Sequence, residues 1–364
     1  MKSHEHHHHH DHPHHHHDHH PQPQAGQDWL ILDVGAGTQD ILVYQPAKPL
    51  AASYKMVLPS PSHVAGAKID AAALIGRDVW LYGQVMGGGE LTEAVKRHLA
   101  HGLKVYAQKE AALSIHDSLK KVESLGVIIS QKKPAETTPV ACGDVDLHSL
   151  GHALDHFGLG LPHQFAAAAQ DHGFTPEGSN RDARFKMWED FLRSGGDPAD
   201  LIYLDPPPSL TRLAALAQSL PGAVVADSAT AALLGALQDE TAARTRDKGL
   251  LVINVGNGHT VAFLVKGQKV TGVYEHHTSL LNESLLAEHL DLFRRGELDH
   301  QEVVSTNGHG VLVIEPIEAA RVIVTGPKRD LAKQLGRMAV PHGDMMLTGC
   351  FGLVEAARLK GLLT

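Results

Sequence analysis

The 364-residue sequence predicts an α/β protein of two duplicated lobes that face one another across a ligand cleft. Three observations predict it. Two Gly-rich hairpins, LDVGAGTQD (32–40) and INVGNGHT (253–260), lie about 220 residues apart and share a spacing. Around each, β-rich runs precede helical runs, the order of a mixed sheet with helices packed on its faces. Finally, 43% of the residues are hydrophobic and 20% charged, which is enough to bury a core and excludes wholesale disorder.

After a PQPQAGQ linker (21–27), WLILDVG (29–35) and DILVY (40–44) are apolar, β-rich runs joined by a Gly/Thr turn, hence a hairpin. SYKMVL (53–58) adds a third strand before a PSPS turn. Residues 64–76 read as an Ala-rich helix, VWLYGQV (79–85) as a strand and 90–101 as another helix. The stretch 126–222 is less regular, with an Ala-rich run at 165–173, a helix at 181–194 and strand-like DLIYLD at 200–205. GAVVADSATAALLGAL (222–237) reads as a short strand entering a small-residue helix. Three strands joined by Gly turns fill 250–276 and repeat the opening pattern. Helices at 279–294 and 315–321, a strand at 321–327, a helix at 328–338 and a closing helix over 350–360 complete the chain.

The first twenty residues hold 13 of the 29 histidines and no hydrophobic period, so this tail is predicted to be disordered. His6, His7, His8, His9, His10, His14, His15, His16 and His17, interspersed with Asp11 and Asp18, suit borderline divalent ions, nickel or zinc above all. Interruptions at Glu5, Asp11, Pro13 and Asp18 distinguish the runs from a simple purification tag. The formal charge of −9 argues against a nucleic-acid partner. No apolar run reaches the roughly 18–20 residues of a membrane span, and the start does not resemble a secretion signal, so a cytoplasmic protein is expected. Two cysteines, Cys142 and Cys350, exclude a four-thiolate zinc site and a disulfide scaffold.

Within the first hairpin, Asp33 ends a buried strand, where a carboxylate requires compensation, such as a cation held through water. Gly35 and Gly37 let backbone approach a phosphate, and Thr38 offers a hydroxyl. The second hairpin repeats this as Asn254, Gly256, Gly258 and Thr260. ADSATAALLGAL (226–237) and MLTGCFGLVEAARLKG (346–361) carry small side chains at helical spacing, suited to a tight crossing. VIVTGP (322–327) sets a Gly loop after a strand, close to Lys328 and Arg329.

In this order the segments resemble the superfamily of actin, the heat-shock chaperone ATPases, acetate kinase and the sugar kinases. Its five marks would be phosphate loop one (Asp33–Asp40), the first connecting helix (Asp227–Ala236), phosphate loop two (Asn254–Thr260), the adenosine loop (Thr325–Pro327) and the second connecting helix (Gly349–Ala357). The resemblance implies two ribonuclease-H-like, actin-like lobes closing on Mg-ATP. Its expected units are a tail and linker (1–28), lobe I (29–240), lobe II (241–348) and the second connecting helix returning toward lobe I (349–364). It implies that Asp33 holds Mg²⁺ through water, that Gly35, Gly37 and Thr38 line the phosphates, and that Asp227 orients the attacking water. Gly256, Asn257, Gly258 and Thr260 would cradle the other phosphate face, and Thr325 and Gly326 would lie against adenosine. Asn254 stands where this superfamily usually has Asp, so low affinity or turnover is expected.

More narrowly, ILDVGAGTQDILVY, YKMVLPSP, MGGGELTEAVKRHL, AQDHG with NRDARF, VGNGHTVAFLV, EHHTSLL and VIVTGPKR resemble a prokaryotic family labelled as a pyruvate formate-lyase-activating enzyme. That radical chemistry needs three cysteines as CxxxCxxC to hold a cluster, a motif this chain lacks.

Three weaker constellations remain. QVMGGGELTEAV (84–95) offers a Gly run that could nest an anion, although Glu90 and Glu93 oppose it. AQDHG (169–173) offers Asp171 and His172 as acid/base groups, with Asn180, Arg181 and Arg184 nearby in sequence. In EHHT (275–278) the two adjacent histidines should face opposite sides of a strand, which opposes joint ligation of one ion. Three functions follow: a Mg-ATP-binding protein with slow hydrolysis or phosphoryl transfer coupled to lobe closure; a nucleotide-gated metallochaperone or maturation factor with a client protein; and a kinase for a small-molecule acceptor, with Asp171 as base.

Overall fold

The computed structural model describes residues 28–318 and 320–363. The histidine-rich tail and its proposed nickel or zinc ligands lie outside the described residues.

Strand β1 (Trp29–Val34) is apolar on both faces because each face meets a core. Trp29 and Ile31 enter one cluster, and Leu30, Leu32 and Val34 enter the other. β2 (Thr38–Tyr44) and β3 (Tyr54–Pro59) continue from it as an antiparallel meander. The chain then leaves to build a separate parallel sheet of β4 (Val79–Gly83), β5 (Val105–Ala107), β6 (Ile128–Ile129) and β7 (Thr138–Cys142). Helices Pro61–Leu74 and Gly89–Ala100 cover this insertion, whose own core includes Ile69, Leu81, Val95 and Val140. On returning, β8 (Gln164–Ala169) lies parallel to β1, β9 (Ile202–Tyr203) forms the sheet edge, and β10 (Val224–Ala226) pairs with both β8 and β9.

The second lobe repeats the scheme. β11 (Leu250–Val255), β12 (His259–Lys266) and β13 (Lys269–His277) form the meander, extended by β14 (Gly310–Val313). β15 (Arg321–Thr325) and β16 (Arg337–Met338) add parallel to β11. The orders β3-β2-β1-β8-β10 and β13-β12-β11-β15-β16 are therefore the same ribonuclease-H-like order, present twice. The fold is the actin-like α/β fold expected from the sequence.

Two helices tie the lobes together. Helix Ser228–Ala236 packs Ala229, Leu233 and Ala236 with Val252 and Ile323 of the second sheet. Helix Thr348–Leu359 packs Phe351 and Val354 with Ile31 and Ala166 of the first. They cross where a Cβ on Gly352 would strike the Ala231 carbonyl oxygen, and one on Gly235 that of Thr348. Only glycine permits such an approach, which explains the small-residue pattern of both segments.

Several elements differ from expectation. Among the described residues, no helix occupies 315–321, and 328–338 is a short 3₁₀ turn (Arg329–Ala332) followed by β16. Gly336 there lies against Val322, where a side chain on a continuing helix would not fit. The helix expected from 279 begins at Glu283, because Asn282 caps it by accepting from Leu285 N at 2.9 Å. The division at residue 240 is not that of the cores: helix Asn180–Arg193 buries Phe185, Trp188 and Phe191 with Val252, Phe263 and Val273 of the second lobe. Among the described residues, no helix is long and apolar enough to cross a membrane.

Candidate functional site

The two glycine loops close identically. Gly35 N donates to Thr38 O at 2.9 Å, and Gly256 N donates to His259 O at 2.9 Å. The loops also face each other, since a Cβ on Gly37 would stand 2.9 Å from Asn257 Nδ2. Gly35, Ala36, Gly256 and Asn257 therefore line one shared crevice. Register corrects one expected equivalence. Val34 pairs with Gln39 and Val255 with Thr260, so the residue matching Thr38 is His259. Thr260 is buried and turned away: its hydroxyl pairs with Thr278 Oγ1 at 3.0 Å, which in turn donates to Gly256 O at 2.9 Å. It braces the loop from behind and does not face a phosphate.

On one side of the loops lies a cavity of about 120 Å³ bordered by Asp33, Thr38, Asp40, Ser228, Thr325 and Gly326. Asp33 and Asp40 stand opposite each other across the β1–β2 pairing. Burial and the facing Asp40 carboxylate raise Asp33 to about 7, and burial raises Asp40 to about 6. Among the described residues, Asp33 Oδ1, Asp40 Oδ1, Ser228 Oγ and Thr325 Oγ1 are buried without a protein partner. Two undercompensated carboxylates among orphaned hydroxyls match the all-oxygen shell of a hydrated magnesium ion. Gly326 has φ of +100°, and a Cβ there would meet the Val255 carbonyl oxygen, so the loop Thr325–Pro327 is seated directly on the end of β11. Lys328 N donates to the same carbonyl at 2.9 Å, and Arg329 Nη1 donates to Gly326 O at 3.0 Å.

On the other side the cavity widens to about 280 Å³, reaching Ser62, Gly87, Gln170, His172, Arg184 and Arg212. Asp227 is here, but its carboxylate is already taken. It accepts from Arg184 Nη1 and Nη2 at 2.6 and 2.9 Å, from Asp171 N at 3.0 Å, and from Ala229 N at 2.9 Å as the helix cap. The expected water-orienting role is therefore replaced by a structural one. Asp171 is likewise corrected. Its oxygens accept from the amides of Gly173, Arg212 and Leu213 at 2.8–2.9 Å, and the residue is 3% exposed, so it cannot reach an acceptor as a base. Of the Gly run, Gly87 N is used by Asp144 Oδ1 at 3.3 Å, and Asp144 is paired with Arg212.

Behind this wall Arg184 is fully buried and joins both lobes. Besides Asp227 it reaches Glu275 Oε2 at 3.1 Å, and Trp188 Nε1 donates to the same oxygen at 2.6 Å. Burial alone would raise Glu275, yet the Arg184 guanidinium holds it below the usual carboxylate range. Next to this network His172, His259, His277 and His309 gather from four segments. His276 points elsewhere, its Nε2 3.1 Å from Thr306 Oγ1, so the two histidines of EHHT do face opposite sides. Sequence reasoning missed His259, His277 and His309 as a group. The available signal was local: Asn-Gly-His occurs at both 257–259 and 307–309, each placing a histidine directly after a Gly turn.

Residues 86–331 match the family described as "Putative pyruvate format-lyase activating enzyme (DUF1786)". The chain belongs to that family. The activity in the family's description does not fit the cysteines of this member: Cys142 lies in the core of the inserted sheet and Cys350 in the second connecting helix, both buried. Burial pushes the Cys142 thiol up to about 12, which makes it an inert core residue. No curated protein matches the sequence. Among solved structures, the ethanolamine utilization protein EutJ from Carboxydothermus hydrogenoformans is similar over 92% of this chain and 89% of its own, at 11% identity and a TM-score of 0.28. A Bacteroides thetaiotaomicron protein with actin-like ATPase fold and unknown function is similar over 91% and 98%, at 9% identity and 0.35. MreB 5 of Spiroplasma citri, bound to AMPPNP, is similar over 92% and 98%, at 11% identity and 0.30. The fold of this family member rests on its strand order and not on these likenesses.

Proposed function

We propose that the chain binds a nucleoside triphosphate, ATP in the first instance, with magnesium between its two glycine loops. One observation carries the reading: two identically closed loops face each other beside a pair of raised carboxylates with no cationic side chain among the described residues bonded to either. Amides of Gly37, Asn257 and Gly258 would meet the phosphates from both sides, with the Thr38 hydroxyl beside them, while the Gly35 and Gly256 amides hold the two loops closed. Asp33 and Asp40 would hold the ion through its waters, and the ion would neutralise phosphate charge. Thr325 and Gly326 would border adenosine at the outer end of the smaller cavity. Asn254 supplies an amide where a second carboxylate would strengthen the ion's hold, so slow hydrolysis is the expected turnover. Transfer to a small-molecule acceptor loses its base, because the Asp171 carboxylate is saturated by amides. Lobe closure would act through the glycine crossing of the two connecting helices.

Calorimetry of the full chain against ATP and ADP, with magnesium or with chelator, tests this. Binding should require magnesium, and Gly37→Val, which fills the gap to Asn257, should weaken it by about tenfold or more, a cost of about 1.4 kcal/mol. Absence of binding at millimolar Mg-ATP, or unchanged affinity in folded Gly37→Val, would overturn it.

A further inference from the structure

The wall of the larger cavity carries a cluster with different chemistry from the Asp33 and Asp40 side. His172 follows β8, His259 opens β12, His277 closes β13 and His309 precedes β14. One ring nitrogen from each of His259, His277 and His309 lies within 4.8 Å of the others. Their ring centroids are 4.7, 4.8 and 4.9 Å apart, and the His172 ring lies 5.4 Å from that of His259. We propose that His259, His277 and His309 bind one borderline divalent transition-metal ion, with His172 beside it as the candidate fourth ligand.

Unmet hydrogen-bonding capacity is the first support. Among the described residues, His259 Nε2, His172 Nδ1 and both ring nitrogens of His309 are buried without a hydrogen-bond partner. Buried polar groups in folded proteins are ordinarily bonded, and His309 is only 2% exposed. An ion converts that deficit into bonds. Orientation is the second. The Gln170 side-chain amide holds His259 Nδ1 at 2.6 Å, leaving Nε2 to face the cluster. Outer partners of this kind are what fix a ligating imidazole.

An all-imidazole donor set suits zinc, cobalt, nickel, copper or iron, and disfavours magnesium. Three or four protein ligands leave room for one more from the crevice, which His172 and His259 line. The chain would thus keep a hard, oxygen-ligated ion and a softer, nitrogen-ligated one on opposite sides of the same loops.

Cobalt(II) titration of the full chain by visible absorption tests the assignment without nucleotide, so its outcome is independent of the ATP reading. Any cobalt taken up by the histidine tail is common to every variant and forms the background. The wild type should show one equivalent with the intense bands of four- or five-coordinate cobalt. His277→Ala and His309→Ala should each lose that band and that equivalent, whereas His276→Ala should keep both. Gln170→Ala, acting only through His259, should weaken it about 10–100-fold. Circular dichroism checks folding, and His259→Gln reads the same band should an alanine variant not fold. Weak six-coordinate absorption alone in the wild type would overturn the proposal, as would equal losses in His276→Ala and His277→Ala.

Discussion

Replacing Arg184 with methionine should cost this protein much of its stability, and the structure says where the cost arises. The guanidinium donates to Asp227 at 2.6 and 2.9 Å, to Glu275 at 3.1 and 3.3 Å, and to Asp171 O at 2.8 Å, all out of contact with water. Removing one member of a buried ion pair costs about 3–5 kcal/mol, chiefly because the remaining charge is stranded. The two carboxylates are not stranded equally. Asp227 keeps the amides of Asp171 and Ala229, whereas Glu275 keeps only the Trp188 indole. Most of the loss, about 3 kcal/mol, should therefore belong to Glu275, and Glu275→Gln added to Arg184→Met should return about 2 kcal/mol of it. pH gives an independent sign. In the wild type the depressed Glu275 contributes stability above its unfolded value and loses it as pH falls through the folded one. Without Arg184, burial pushes the same carboxyl up, so the variant is most handicapped near neutrality and the gap narrows in acid. Urea unfolding followed by circular dichroism, at pH 7.5 and pH 5, measures all four members of the cycle. A single variant within about 1 kcal/mol of wild type, or a double variant no better than the single, would refute the argument.

Further outcomes follow from the same packing. Gly352→Ala should lower stability by about 1–3 kcal/mol, read from the urea midpoint, because its Cβ meets the Ala231 carbonyl oxygen with no flexible neighbour to yield. Asp33→Asn should behave in the opposite sense in chelator. Charged Asp33 is unfavourable above its raised value of about 7, so the variant should be about 2 kcal/mol more stable at pH 8, a gap that closes as pH falls toward 4. On the proposed function, Mg-ATP should raise the melting temperature of the wild type and not that of this variant. Equal protection of both would mean that Asp33 does not hold the ion.

What could be read from the chain was what is local to it. A glycine hairpin is a property of eight consecutive residues, and both hairpins, at Asp33–Asp40 and Asn254–Val261, form with the strands expected around them. The small-residue helices were equally legible, since the requirement for a close crossing is written in Gly235 and Gly352 themselves. The insertion of β4–β7 was not legible as a separate body, because short parallel strands announce their partners only when paired. Neither was the partition of cores: helix Asn180–Arg193 follows the first lobe in sequence, yet its aromatic face belongs to the second. Register was decided the same way, as pairing set His259 and not Thr260 opposite Thr38 in the duplicated loop. The role of a polar side chain depends on which groups fold onto it. Asp171 and Asp227 read as free acids until the amides of a distant helix and the Arg184 guanidinium saturate them. The histidine cluster goes furthest in this direction, since positions 172, 259, 277 and 309 become neighbours only after two sheets have formed and their ends meet across the crevice. Chain order sets torsion preferences and side-chain periodicity over a few residues, whereas burial, partnership and charge compensation are sums over space.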